Sequence, residues 1–238
     1  MLELVLLVST SFEFHWMCFF ALTNNNANLI HYIFQTFETR KGALLRCKEI
    51  IKAKNLKVVG VDYNNLYIQA AQEAIDRHDM SDNISVYTLD IYNEKALQTV
   101  LKSENITEVD SVYFSGSFSL MPDPKGALVS VLKALDAKGK IYITQTYQKR
   151  TLPLMATIKP LMKFLTTVDF GKLVTIEEVE ETLCSVEGLS LEEHDVIEDS
   201  LDNYWQAAYL SVLARSGKNG KKLKGDDERK KGFFGIWF

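Results

Sequence analysis

Leu56-Lys-Val-Val-Gly-Val-Asp62-Tyr63-Asn64 is the stretch that decides the fold. An apolar, largely β-branched run stops at an acid, crosses turn residues and enters a helix-type pattern over residues 64–77. That order predicts a buried parallel strand, a tight connection and a helix returning across the sheet. Leu66, Ala70, Ala74 and Ile75 are spaced to face that sheet.

The neighbouring segments repeat the theme. Residues 42–54 (GALLRCKEIIKAK) place Leu44, Leu45, Ile50 and Ile51 at near-helical spacing. Residues 84–89 predict a second strand stopping at Asp90, followed by a helix over residues 93–103. Residues 109–114 predict a strand that runs into Ser115-Gly116-Ser117. A helix entered through Pro124 and a strand over residues 140–145 follow. Strands alternating with helices through short connections imply right-handed crossovers and a mostly parallel sheet.

The pattern then changes. Residues 152–165 have a helical pattern that Pro160 would kink. Thr175 and Glu178 have the spacing of a capping box opening a helix that runs to Cys184. Residues 189–197 and 204–214 predict two strands with no helix between them, hence an antiparallel hairpin. Tyr204 and Trp205 open the last strand and are expected in the core. For the first strand only residues 29–34 (LIHYIF) are available, which makes that region atypical.

Composition is that of an ordinary globular chain: 238 residues, 47% hydrophobic and 24% charged. A net charge of -4 gives no global signal for nucleic acid. Cys18, Cys47 and Cys184 lack metal-ligand spacing and fit a reducing compartment, so a cytoplasmic location is expected. His194 has no second ligand nearby, so no metal is expected.

Both ends differ from the middle. Residues 1–28 form an apolar amino-terminal extension, residues 29–215 the main domain, and residues 216–238 a basic flexible tail. Glu3, Glu13 and His15 interrupt the apolar run of residues 1–22, so a stray helix or strand, or a replaced first exon, is favoured there over a membrane anchor.

A parallel sheet finishing in an antiparallel pair, with acids closing two strands and a Gly/Ser loop closing a third, resembles the class I S-adenosylmethionine (SAM) methyltransferases. The resemblance spans residues 42–215 and implies a doubly wound, mostly parallel sheet of the seven-stranded type with SAM as cofactor. On it, Asp62 hydrogen-bonds the ribose hydroxyls and Tyr63 lies beside the adenine. Asp90 accepts from the adenine amine, or else caps the next helix, and the backbone of Ile91 lies nearby. Ser115 and Gly116 border the cofactor. Ser117, Phe118 and Met121 face the methyl acceptor, and Tyr147 either joins them or packs in the core.

One departure from the family pattern stands out. The glycine-rich loop belongs about 20 residues before the ribose acid, but residues 35–42 read QTFETRKG, with Gly42 alone and Arg40 and Lys41 in the way. Glu38 is the acid available there. The loop after the fourth strand also lacks the Asp with Pro-Pro-aromatic neighbours that marks amino methylation of nucleic acids. The expected function is therefore SAM-dependent methylation of a small molecule, with no nucleic-acid partner. The alternatives are a degenerate fold acting as a binding module or inactive, and a membrane-tethered relative.

Overall fold

The structure is a computed structural model that describes residues 4–9, 48–150, 174–198 and 200–216. Among them run β1 (Leu4–Ser9), α1 (Lys48–Ala53), β2 (Lys57–Asp62), α2 (Asn65–Arg77), β3 (Ile84–Thr88), α3 (Glu94–Ser103) and β4 (Val109–Ser115). A 3-10 turn (Phe118–Leu120), α4 (Pro124–Leu132), β5 (Leu135–Gln148), α5 (Ile176–Cys184), β6 (Leu189–Val196) and β7 (Gln206–Arg215) complete the series. The strands form one sheet in the order β3-β2-β1-β4-β5-β7-β6. The first five in that order are parallel to one another, while β7 is antiparallel to both β5 and β6. This is the mainly parallel α/β arrangement that the strand and helix patterns predict.

Local chemistry sets the helix boundaries. Asn64 caps α2, accepting from the Leu66 N–H at 3.0 Å, and Asn93 caps α3, accepting from the Ala96 N–H at 3.1 Å. The capping box at α5 is complete: Glu178 N–H donates to Thr175 Oγ1 at 3.3 Å, and Thr175 N–H donates back to Glu178 Oε2 at 3.1 Å. Left-handed backbone at Asn55, Asp79 and Asn105 closes the turns after α1, α2 and α3. The central strands are buried along their length because helices cover a parallel sheet on both faces: Val58, Val59 and Val61 on β2, and Val112 and Phe114 on β4.

The first strand corrects the expectation drawn from sequence. Leu4–Ser9, not residues 29–34, occupies the centre of the sheet, pairing in parallel with β2 on one side and β4 on the other. This part of the apolar stretch of residues 1–22 is thus a sheet strand. The chosen segment needs a continuous apolar run that can be flanked by two parallel partners, and LVLLVS supplies it. Residues 29–34 and the loop at residues 35–42 lie outside the described residues, as do the helical pattern of residues 152–165 and the tail from residue 217. Among the described residues no helix is long and apolar enough to cross a membrane.

The last strand brings a second correction. Tyr204 and Trp205 precede β7 and are exposed, not core. They belong to the β6–β7 connection, where Asn203 Oδ1 accepts from the N–H groups of Trp205 and Gln206 at 2.8 and 3.0 Å. The Arg150 guanidinium lies over the Tyr204 ring, 4.1 Å from its centre.

Candidate functional site

Strand direction builds the site. In a doubly wound sheet, ligands sit beyond the carboxyl ends of the strands, where the chain order reverses. Here the reversal falls between β1 and β4. Ser9, Asp62 and Thr88 are paired across β1, β2 and β3, and Ser115 is paired with Thr144 of β5. The ends carrying Asp62, Asp90 and Ser115 therefore share one edge, although up to 53 positions separate them in sequence.

Asp62 closes β2 with only 2% of its surface exposed. Its Oδ1 accepts from the Asn64 N–H at 2.7 Å, so the turn into α2 orients the carboxylate. A carboxylate kept this far from water has to be held by hydrogen bonds. Tyr63 beside it is exposed. Asp90 is exposed, and its Oδ1 accepts from the Tyr92 N–H at 3.0 Å. The cap of α3 is Asn93 instead, so Asp90 is not the helix cap. Ile91 is buried beneath the turn, which leaves its backbone at the edge and its side chain in the core.

Beyond β4, Gly116 takes a φ of +62°, a conformation that other residues adopt only with strain. Its N–H donates to the Thr144 carbonyl at 2.8 Å, tying the loop to β5. Among the described residues, a Cβ on Gly116 would meet nothing within 4 Å. Ser115 is half-buried next to it.

The residues expected to face an acceptor behave differently. Ser117 and Phe118 are each 1% exposed, and Met121 and Tyr147 are also buried. Phe118, Met121 and Tyr147 belong to the main hydrophobic core, and Phe118 stands edge-on to Phe114 with ring centres 5.7 Å apart. In this structure Phe118, Met121 and Tyr147 pack into the core, with little of their surface exposed. The cause is that the 3-10 turn folds this apolar pair back onto the sheet.

Tyr147 sits with Tyr209 and His194 in an aromatic group, at ring-centre separations of 5.9 and 6.1 Å. Burial raises its phenol well above the ordinary value, with weak opposition from Ser211. The Ser211 hydroxyl is engaged by His194 Nδ1 at 2.7 Å, and the Tyr147 hydroxyl finds no partner in good geometry among the described residues. Among these residues no group of three or more His, Cys, Asp or Glu side chains could hold a metal ion.

Sequence alone did not single out Tyr92. Its hydroxyl meets the backbone of Asp123, a contact between residues 31 positions apart that no local signal announces.

Two acceptor carboxylates at this edge suit a nucleoside, whose hydroxyls and amine are donors. A family model described as "Methyltransferase domain" matches residues 40–216. Against curated protein sequences the chain gives no significant match. Among solved structures it resembles an O-methyltransferase family protein from Burkholderia thailandensis, with TM-score 0.56 and 12% identity over 91% of this chain. The chain spans 52% of that protein's length. The MccD protein gives TM-score 0.54 at 11% identity, covering 90% of each chain. Geranyl diphosphate C-methyltransferase from Streptomyces coelicolor gives TM-score 0.55 at 7% identity, over 90% of this chain and 73% of that one. These likenesses show a shared fold.

Proposed function

We propose a function from one premise: this chain belongs to the methyltransferase domain family, whose cofactor is SAM. The protein transfers a methyl group from SAM to a small-molecule acceptor. The observation that supports this best is the common edge at the strand reversal, where Asp62, Asp90 and Gly116 stand together. Asp62 would accept the ribose hydroxyls, Tyr63 would cover one face of the adenine, and Asp90 would accept from the adenine amine. Ser115 and Gly116 would let the ligand approach the backbone closely.

When bound, SAM supplies a methyl group already activated on a positive sulfur. The protein's own task is then orientation and the exclusion of water. Phe118 and Met121, packed against the core, keep the loop beyond β4 in place for that task. A small acceptor fits a loop without the motif of amino methylation on nucleic acids. The fold relative from Streptomyces coelicolor is named for geranyl diphosphate, a small molecule.

A degenerate, non-catalytic reading rests on one specific observation, the single glycine in residues 35–42. Isothermal titration with SAM and with its demethylated product S-adenosylhomocysteine (SAH) separates the two readings. The catalytic reading expects saturable binding that Asp62→Ala weakens, together with transfer of label from methyl-labelled SAM to an acceptor pool. Binding to neither ligand at millimolar concentration would leave the degenerate reading.

A further inference from the structure

We propose that Tyr92 is a positioning residue that holds the loop beyond β4 against the Asp90 turn, so that the two form one wall of the ligand edge. The proposal rests on the cofactor site described above and adds a residue to it. The Tyr92 hydroxyl donates to the Asp123 carbonyl and accepts from the Asp123 N–H, both at 3.0 Å. Asp123 is the cap of α4, and its own Oδ1 accepts from the Gly126 N–H at 2.9 Å. At its other end, the Tyr92 backbone N–H donates to Asp90 Oδ1 at 3.0 Å. One residue thus links the Asp90 carboxylate to the start of α4.

The segment between Gly116 and Asp123 is anchored at both ends by this arrangement. Gly116 N–H donates to Thr144 at one end, and Asp123 is clasped by Tyr92 at the other. The Tyr92 ring packs against the main core, so the hydroxyl is delivered by a side chain with little freedom. Burial raises the phenol above its ordinary value, although the bond to the Asp123 backbone opposes this. The hydroxyl therefore keeps its proton, and with it the donor half of the clasp, throughout the neutral range.

Tyr92→Phe keeps the ring and removes the clasp. The test combines amide hydrogen exchange, thermal melting and SAH titration on the full chain. Exchange should speed up about tenfold in residues 117–123 and in residues 90–93, the effect of losing a hydrogen bond of ordinary strength. The SAH dissociation constant should rise about three- to tenfold with the melting temperature little changed. Exchange like that of the wild type in either segment would overturn the proposal. Faster exchange with unchanged SAH affinity would overturn it too, reducing Tyr92 to a structural contact. A wild-type chain that binds no SAH would defeat the cofactor reading itself, and the exchange result alone would then decide whether Tyr92 holds the two segments together.

Discussion

Asp123 holds its carboxylate where a Cβ on Gly126 would stand. The Gly126 N–H donates to the Asp123 carboxylate at 2.9 Å, while a Cβ on Gly126 would fall 2.9 Å from Asp123 Cγ and closer still to Oδ2. The cap of α4 sits at the edge of the candidate site, and a side chain at position 126 would require the Asp123 carboxylate to turn.

This relationship predicts a change of sign. Alanine normally gains about 1 kcal/mol over glycine inside a helix. Gly126→Ala should nonetheless lower stability, because it displaces a cap worth about 1 kcal/mol or more. With Asp123→Ala already present, the same substitution should be neutral or stabilising. Urea unfolding of the two single variants and the double variant measures this, and a stabilising Gly126→Ala in the otherwise wild-type chain would refute it.

Asp62→Ala is expected to weaken SAM or SAH binding by about 1.5–3 kcal/mol, the range for a hydrogen bond to a charged group. The variant also strips the Asn64 N–H of its 2.7 Å partner, so a loss of about 1 kcal/mol of stability should accompany it. Calorimetry and urea unfolding separate the two effects. Unchanged affinity removes Asp62 from the site.

Tyr147 distinguishes core from substrate contact. Tyr147→Phe deletes a buried hydroxyl with no partner in good geometry among the described residues, so stability should stay within about 1 kcal/mol of the wild type or rise. Tyr147→Ala should cost about 3–5 kcal/mol, as for other large buried aromatics. If Tyr147→Phe folds normally yet loses methyl transfer, the hydroxyl reaches the acceptor after all and the packing assignment is wrong.

Glu104 governs part of the acid sensitivity. Burial pushes its carboxyl up, but hydrogen bonds from Lys57, Tyr87 and Ser85 outweigh this and hold it below the ordinary 4.5. Lys57 Nζ lies 2.6 Å from it, and Tyr87 donates to its other oxygen. A carboxyl lowered on folding stabilises the protein above pH 4.5, and that contribution is lost as pH falls through the folded value. The stability gap between wild type and Glu104→Gln should therefore be constant above about pH 5.5 and shrink below pH 4.5. Urea midpoints measured across that range test it, and a gap that does not change with pH would count against the ion pair.

Much of this was legible from sequence because it is local. The stop at Asp62 and the box of Thr175 and Glu178 each involve neighbours a few positions apart, whereas the caps Asn64 and Asn93 emerged only in the structure. Hydrogen-bond chemistry at that range fixes the local geometry whatever the rest of the chain does. The shared edge of Asp62, Asp90 and Ser115 followed as well, since parallel strands joined by right-handed crossovers have to end on the same side.

The sequence by itself determined the alternation of elements, the capping box of Thr175 and Glu178, and the edge at which a ligand would sit. The tertiary structure decided which apolar run became the central strand. Leu4–Ser9 and residues 29–34 have similar patterns, and only pairing with β2 and β4 separates them. It also decided that Phe118, Met121 and Tyr147 face inward while Tyr204 and Trp205 face water. It joined Tyr92 to Asp123 across 31 positions. These outcomes depend on which distant surfaces meet, and burial and long-range hydrogen bonds are settled only once the sheet has assembled.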